Sequence, residues 1–337
     1  MKKLFILFVT FLACSCIFAQ DTSNYKAKTI YVLMRDADYN NAILVLSGEL
    51  EKEPNNAEYK KQLGFCYYYI HDYENAKKNL LYLLKNKTGD DQCIQILGNI
   101  YKDSDQLEEC KKVFTEGLQQ FPDSGPLYNE MGNLLWEMHD QTAIEYWEKG
   151  IETDPNYSKN YYNACRYYHL YNQSMWSLLY GEIFVNLDPM SVKSPEIKEI
   201  LINDYKKLFV ALASSDSSFK EKGKFAKQFI KELNKQKSIA YTGINMNSLM
   251  AIRARFVLDW FNDNQTKFPF KLFEYHQELL REGLFEAYNQ WLFGAAENIN
   301  AFQIWTQNNS IDYYLFNQLQ QSRIFKLPKG QYYHSSN

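Results

Sequence analysis

Proline and glycine are scarce in this sequence, at 8 and 14 of 337 residues. That argues against long structureless loops. Histidine is rarer still: the five, at positions 71, 139, 169, 276 and 334, are scattered, and no two share the spacing of a zinc-binding helix. No glycine loop that could cradle a phosphate occurs, nor a Gly-x-Ser-x-Gly elbow, nor a Cys/His pair that its local sequence recommends as a nucleophile and base, so neither catalysis nor a cofactor is expected. Excess positive charge is also lacking. At a formal −3 the chain carries no electrostatic footprint for nucleic acid.

Beyond the first residues no apolar run is long enough to span a bilayer. The start of the chain is different in kind. Lys2 and Lys3 precede an apolar stretch from Leu4 to Ala13, and Ile17-Phe18-Ala19 fits a cleavage site, so residues 1–20 read as a secretory leader. The expectation is an exported protein, periplasmic or held in the envelope of a Gram-negative-type bacterium. Cys14 and Cys16 offer positions for a lipid anchor, but neither has the usual Leu three residues earlier. Cys66, Cys93, Cys110 and Cys165 remain after the leader and show no disulfide framework spacing.

The stretch from Ala57 to Pro155 repeats one pattern of large, small and aromatic residues. Leu63, Gly64, Tyr67 and Ala76 recur at one constant offset as Leu97, Gly98, Tyr101 and Cys110, and Phe114, Gly117 and Pro122 complete the second of these copies. Tyr128, Met131, Gly132, Ala143, Trp147, Gly150 and Pro155 form the next, with the residues from Ala143 onward one position early. The missing residue is expected to shorten the turn around His139 to Gln141. This pattern resembles the tetratricopeptide repeat, a helix–turn–helix unit of about 34 residues.

The resemblance implies an all-α fold, an α-solenoid of about five repeats over 21–190. The best are 57–90, 91–123 and 125–155, after a worn first copy around Ala42 and Leu46. In the fifth copy Gly181 and Phe184 exchange the usual large and small positions. After Pro189 the period fades, and helical spacing of apolar and aromatic residues predicts a helical C-terminal domain over 191–330. A disordered tail is expected over 331–337.

In tetratricopeptide arrays the first helix of each unit, helix A, lines a groove that binds peptides. Carried onto this chain, the groove positions include Phe65, Tyr68 and Tyr69, then Gln95 and Asn99, then Asn129, Asn133 and Trp136, and in the fifth unit Tyr162, Arg166 and His169. Amides carry both a donor and an acceptor and can pair with any extended backbone. Tyr and Trp offer rigid surface with a polar tip. The subfamily that clamps a C-terminal carboxylate is excluded: Lys61 matches it, but Phe65, Ile96, Pro126 and Glu130 do not.

The expected function is therefore a non-enzymatic scaffold or adaptor that binds a protein or peptide partner. Two alternatives stand beside it. Clustered aromatics such as Trp260, Phe261, Tyr288, Trp291 and Trp305 could form a sugar-stacking platform, although their helical spacing favours core packing. The array could also be a structural subunit of an envelope assembly. The lysine-rich stretch from Lys220 to Lys237 is read as a core stripe with a solvated basic face.

Overall fold

The computed structural model describes residues 28–214, 223–241 and 243–334. The expected leader, with Cys14 and Cys16, lies outside the described residues. So does most of the Ser214–Ser218 connection. Among the described residues every regular element is helical. The chain divides into two compact units, residues 1–120 and 121–337. The boundary expected at 190/191 falls inside the second of these.

In the first unit helices follow one another as hairpins. They are α1 (residues 28–35) with α2 (Tyr39–Lys52), α3 (Ala57–Tyr69) with α4 (Tyr73–Lys85), and α5 (Asp91–Asp103) with α6 (Leu107–Gln120). Each hairpin turns on a residue in the left-handed region: Ala37, His71 and Asp105, one repeat period apart from one another, with φ between 57° and 63°. The carbonyls at the end of helix A are taken up in this turn. In the second hairpin His71 N–H donates to Tyr68 O at 2.9 Å and Asp72 N–H to Tyr67 O at 2.9 Å. Asp72 then caps the next helix, its Oδ1 accepting from Asn75 N–H at 3.2 Å.

The small and large residues of the repeat meet inside the hairpins. Ala42, Ala76 and Cys110 are fully buried, with Leu46, Leu80 and Phe114 beside them. A Cβ added at Gly98 would run into the Phe114 ring, and one at Gly64 would come within 3.0 Å of Leu80. The helix–turn–helix architecture is thus the one expected from the repeat pattern.

The second unit continues with α7 (Gly125–Glu137), α8 (Ala143–Thr153), α9 (Ser158–Leu170) and α10 (Ser174–Leu187). The turn between α7 and α8 corrects the expected shortening. His139 takes the left-handed turn position one full period after Asp105, in register. α8, however, begins only at Ala143, whereas α6 begins at Leu107, ahead of the equivalent Cys110. The missing residue comes out of the first turn of α8, which has 11 residues against 14 in α6. Asp140 Oδ1 replaces that turn, accepting from Thr142 N–H at 2.9 Å and Thr142 Oγ1 at 2.7 Å.

The fifth hairpin keeps the exchanged pair. A Cβ on Gly181 would meet Cys165 Sγ at 2.8 Å and Leu201 at 2.9 Å, while Phe184 is buried against Tyr162 at a ring separation of 5.4 Å.

α11 (Ser194–Ala213) extends the repeat one helix beyond the expected end. It packs on α9 and α10, and the ties run at about the repeat spacing. Tyr162 meets Glu196, His169 meets Asp204, and Asn172 meets Lys207. Nothing in its own sequence repeats the Leu-Gly pair, because Gly181 on α10 supplies the close approach.

The rest of the unit is α12 (Lys224–Asn234), α13 (Lys237–Ala240), α14 (Met246–Asp263), α15 (Lys271–Arg281) and α16 (Phe285–Asn289), then a π-helical turn at Gln290–Gly294. α17 (Ala295–Glu297), α18 (Ile299–Asn308) and α19 (Ser310–Ser322) follow. Phe225, Phe229, Phe256, Trp260 and Phe273 form a buried aromatic core between α12, α14 and α15. The basic helix α12 therefore has its apolar stripe engaged, as expected. No described helix is long and apolar enough to cross a membrane.

The end of the chain departs from expectation. Residues 331–334, predicted as part of a disordered tail, are packed: Tyr333 stacks on Phe225 with ring centroids 4.5 Å apart. The segment holds two tyrosines and a histidine that find aromatic and carboxylate partners. Composition alone hides that.

Candidate functional site

The groove positions expected on α3 and α5 of the first unit form one face. Tyr39 stacks on Tyr69 at 4.7 Å, Tyr69 leans on Tyr68 at 5.4 Å, and Tyr68 stacks on Tyr73 at 6.1 Å. Both the Tyr68 and the Tyr73 hydroxyls donate to Asp103 Oδ2, at 3.3 and 3.2 Å. Burial, reinforced by the Asp103 carboxylate, pushes the Tyr68 phenol up to about 12, so it stays a hydrogen-bond donor. Tyr69 is 50% exposed at the edge of this ladder.

Gln95 and Asn99 stand half-buried on α5, one turn apart. Neither side-chain amide has a hydrogen-bond partner among the described residues. They contrast with Lys61 at the other edge, which bridges Glu58 at 3.2 Å and Asp90 at 3.0 Å. Phe65 is partly buried against the core around Ala76 and Leu80, so it acts as packing more than as surface. This face can offer paired donors and acceptors next to exposed aromatic edges.

In the second unit the expected contacts are largely engaged within the protein, which corrects the groove reading there. Asn129 is only 2% exposed, and its Oδ1 accepts from Asn133 Nδ2 at 3.2 Å. Asn133 Oδ1 in turn accepts from Asn163 Nδ2 at 2.8 Å. Trp136, 36% exposed, packs between Trp147 and Tyr167. Tyr162 donates to Glu196 at 2.8 Å and Arg166 pairs with the same carboxylate at 2.9 Å. His169 Nδ1 lies 2.8 Å from the fully buried Asp204. For Tyr162, Arg166 and His169 the physical reason is α11, a further helix laid on the fifth hairpin that brings carboxylates to these positions, whereas Asn129, Asn133 and Trp136 are met by residues of α7, α8 and α9.

Two buried carboxylates were not anticipated. Glu182, in the middle of α10, accepts from Arg253, from His276 Nε2 at 2.7 Å and from the Tyr288 hydroxyl at 2.7 Å. Burial alone would raise its pKa, but Arg253 and His276 reverse this and hold the carboxyl at about 2. Burial also lowers the pKa of His276, against the pull of Glu182. Glu148, on α8, accepts from Tyr168 at 2.5 Å and Tyr332 at 3.0 Å. The available signal for Glu182 was a lone charge inside the apolar run Ser174–Leu187.

Cys66, Cys93 and Cys165 are free thiols whose burial pushes them up to about 11, 12 and 12, and Cys110 is fully buried. Trp260 and Tyr288 are 0% exposed, in line with the core packing that their helical spacing favours, which removes the centre of the alternative sugar-stacking platform.

No family model matches the chain. Among curated proteins it is similar to intraflagellar transport protein 70A of Xenopus laevis, 30% identical over 129 residues, which is 36% of this chain and 17% of that protein. It is also similar to the tetratricopeptide repeat protein 30 homolog of Caenorhabditis briggsae, 42% identical over 48 residues, 14% of this chain and 7% of the relative. The chain thus spans less than a fifth of the length of these relatives.

Among solved structures, the crystal structure of MamA is 20% identical with a TM-score of 0.38, over 47% of this chain and 92% of that one. The C-terminal part of a TPR repeat-containing protein from Cytophaga hutchinsonii is 15% identical with a TM-score of 0.41, over 68% and 94%. YrrB, described as a TPR protein with an unusual peptide-binding site, is 16% identical with a TM-score of 0.35, over 49% and 86%.

Proposed function

We propose that this protein is an exported, non-enzymatic scaffold of tetratricopeptide type that captures an extended protein segment on the helix-A face of its first unit. The observation that carries the reading is the pair of amides on α5. Gln95 and Asn99 keep a donor and an acceptor each on a half-buried face, beside the tyrosine ladder that ends on Asp103. Half-buried amides without internal partners are suited to the backbone of a bound segment, because its peptide groups restore the hydrogen bonds lost to desolvation. The tyrosines add aromatic contact area at small entropic cost. Export rests on the charged and apolar pattern of residues 1–20.

The reading is tested by crosslinking in intact cells followed by mass spectrometry, comparing the parent with a Tyr68→Ala/Gln95→Ala/Asn99→Ala variant. Partners crosslinked by the parent should be lost from the variant. Recovery of the same partners at the same yield would overturn it. Cell fractionation tests the location, with recovery in the cytosol counting against export.

A further inference from the structure

The second unit already holds one extended peptide, and that peptide is its own. After α19 the chain runs without a helix from residue 324 to residue 334 along a groove walled by α8, α9, α10, α12 and α15. Its backbone is read at Leu327. The Asn156 side-chain amide donates to Leu327 O at 3.0 Å and accepts from Leu327 N–H at 2.9 Å, a two-point clamp on the backbone of one residue that ignores side-chain identity. The Leu327 side chain itself is buried.

Five residues on, the groove reads side chains. Tyr332 donates to Glu148 Oε2 at 3.0 Å, and His334 Nδ1 lies 2.8 Å from the same oxygen. The groove's own Tyr168 and Tyr180 hold the other oxygen, Oε1, at 2.5 and 3.3 Å. Tyr333 lies flat on Phe225 and donates to Pro269 O at 2.6 Å. Between these anchors Ile151, Tyr161, Trp176 and Phe270 face the segment, and the space left over is about 20 Å³, room for about one water.

We propose that this groove is a second peptide-binding site, selective for an extended segment with an aliphatic residue at the Asn156 clamp and a tyrosine and a histidine five and seven residues later at Glu148. Residues 324–334 occupy it in cis, and a partner protein's segment of the same chemistry displaces them. Three features of the geometry carry this. The ligand is held through its backbone at one end and through phenol and imidazole hydrogen bonds to one carboxylate at the other. It contributes no helix to the packing of the unit. The elements that line the site are held together independently of it: α10, α12 and α15 through the Phe225, Trp260 and Phe273 core and the Glu182 cluster, α8 by packing on α9, and α9 by packing on α10. The site is separate from the helix-A face of the first unit, so either proposal can fail alone.

The probe is a fluorescently labelled peptide of residues 324–334, IFKLPKGQYYH, titrated by anisotropy with the full chain. A Tyr332→Ala/Tyr333→Ala chain, whose own segment is weakened, should bind the probe at least ten-fold more tightly than the parent. Adding Asn156→Ala should remove that binding, and a probe with Asp in place of the leucine should not bind. No binding by the weakened chain at millimolar concentration overturns the proposal.

Should the double variant not fold, hydrogen exchange on the parent decides. Excess probe should accelerate exchange at the Leu327 amide at least ten-fold, and an unchanged rate overturns the displacement. A parent that sediments as a dimer, and returns to monomer on Tyr332→Ala/Tyr333→Ala, would give the groove to a second copy and overturn the partner reading.

Discussion

The two units start from the same repeat and treat their polar residues in opposite ways. In the first, helix-A amides such as Gln95 and Asn99 stay unengaged beside an aromatic ladder. In the second, the equivalent faces are closed: Asn129, Asn133 and Asn163 bond one another, and Glu196 and Asp204 of α11 take Tyr162, Arg166 and His169. A repeat pattern of leucine, glycine and alanine therefore specifies stacking but not availability. Availability depends on which side chains of the same and neighbouring helices reach those positions.

The contrast can be broken most directly at Glu182. Replacing it by Ala leaves Arg253 buried without its carboxylate and should cost about 3–5 kcal/mol. Hydrogen exchange should report that loss across α10 and α14 while protection in α3 to α6 is kept. Equal loss in both units would show that they do not unfold separately.

Acid should act in the same direction. Glu182 has a folded pKa near 2, below the ordinary 4.5, so its contribution is present above about 4.5 and is lost as pH falls toward 2. His276, lowered from 6.5, also makes the second unit less stable once pH drops below that value, because the unfolded chain takes up the proton more readily. Urea midpoints measured from pH 7 down to pH 3 check both. A midpoint for the second unit that rises on acidification would contradict the assignment.

Next in size is Gly98→Leu in the first unit. Its side chain must displace the Phe114 ring, and the expected loss is about 1–3 kcal/mol by urea denaturation. A smaller gain is expected at the hairpin turns. Asp105→Gly removes the cost of a left-handed non-glycine residue and should stabilise the first unit by up to ~1 kcal/mol, read as a rise in Tm.

The smallest effect sharpens the comparison most. Gln95→Ala/Asn99→Ala should change stability by no more than ~0.5 kcal/mol, since no internal partner is lost. Asn133→Ala in the second unit should cost more by the same assay, because it strands the neighbouring amides of Asn129 and Asn163.

Much of the fold was legible from spacing. The constant offset from Leu63, Gly64, Tyr67 and Ala76 to Leu97, Gly98, Tyr101 and Cys110 locates hairpins of the first unit, Met131 and Gly132 carry it into the second, and Gly98 sits against Phe114 as that register requires. Two local features were misread. The short fourth repeat drops a residue from the start of α8, where Asp140 stands in for a helical turn, and the loop is not shortened. α11 continues the array without carrying the signature, because Gly181 on the preceding helix makes room for Ile197 and Leu201.

The candidate sites were less legible. Tyr68, Gln95 and Asn99 could be named from repeat position, but whether Asn129 or His169 faced solvent depended on what lay above them. Glu148 and Asn156 carried no signal, since their partners lie 184 and 171 residues away.

The sequence by itself determined the helical period and the positions of the small and large core residues, because these follow from interactions within a single repeat and its neighbour. Tertiary structure alone decided which polar faces stay open, which carboxylates are buried, and where residues 324–334 lie. Those outcomes depend on groups far apart in the chain arriving at one place, and no local pattern records the meeting.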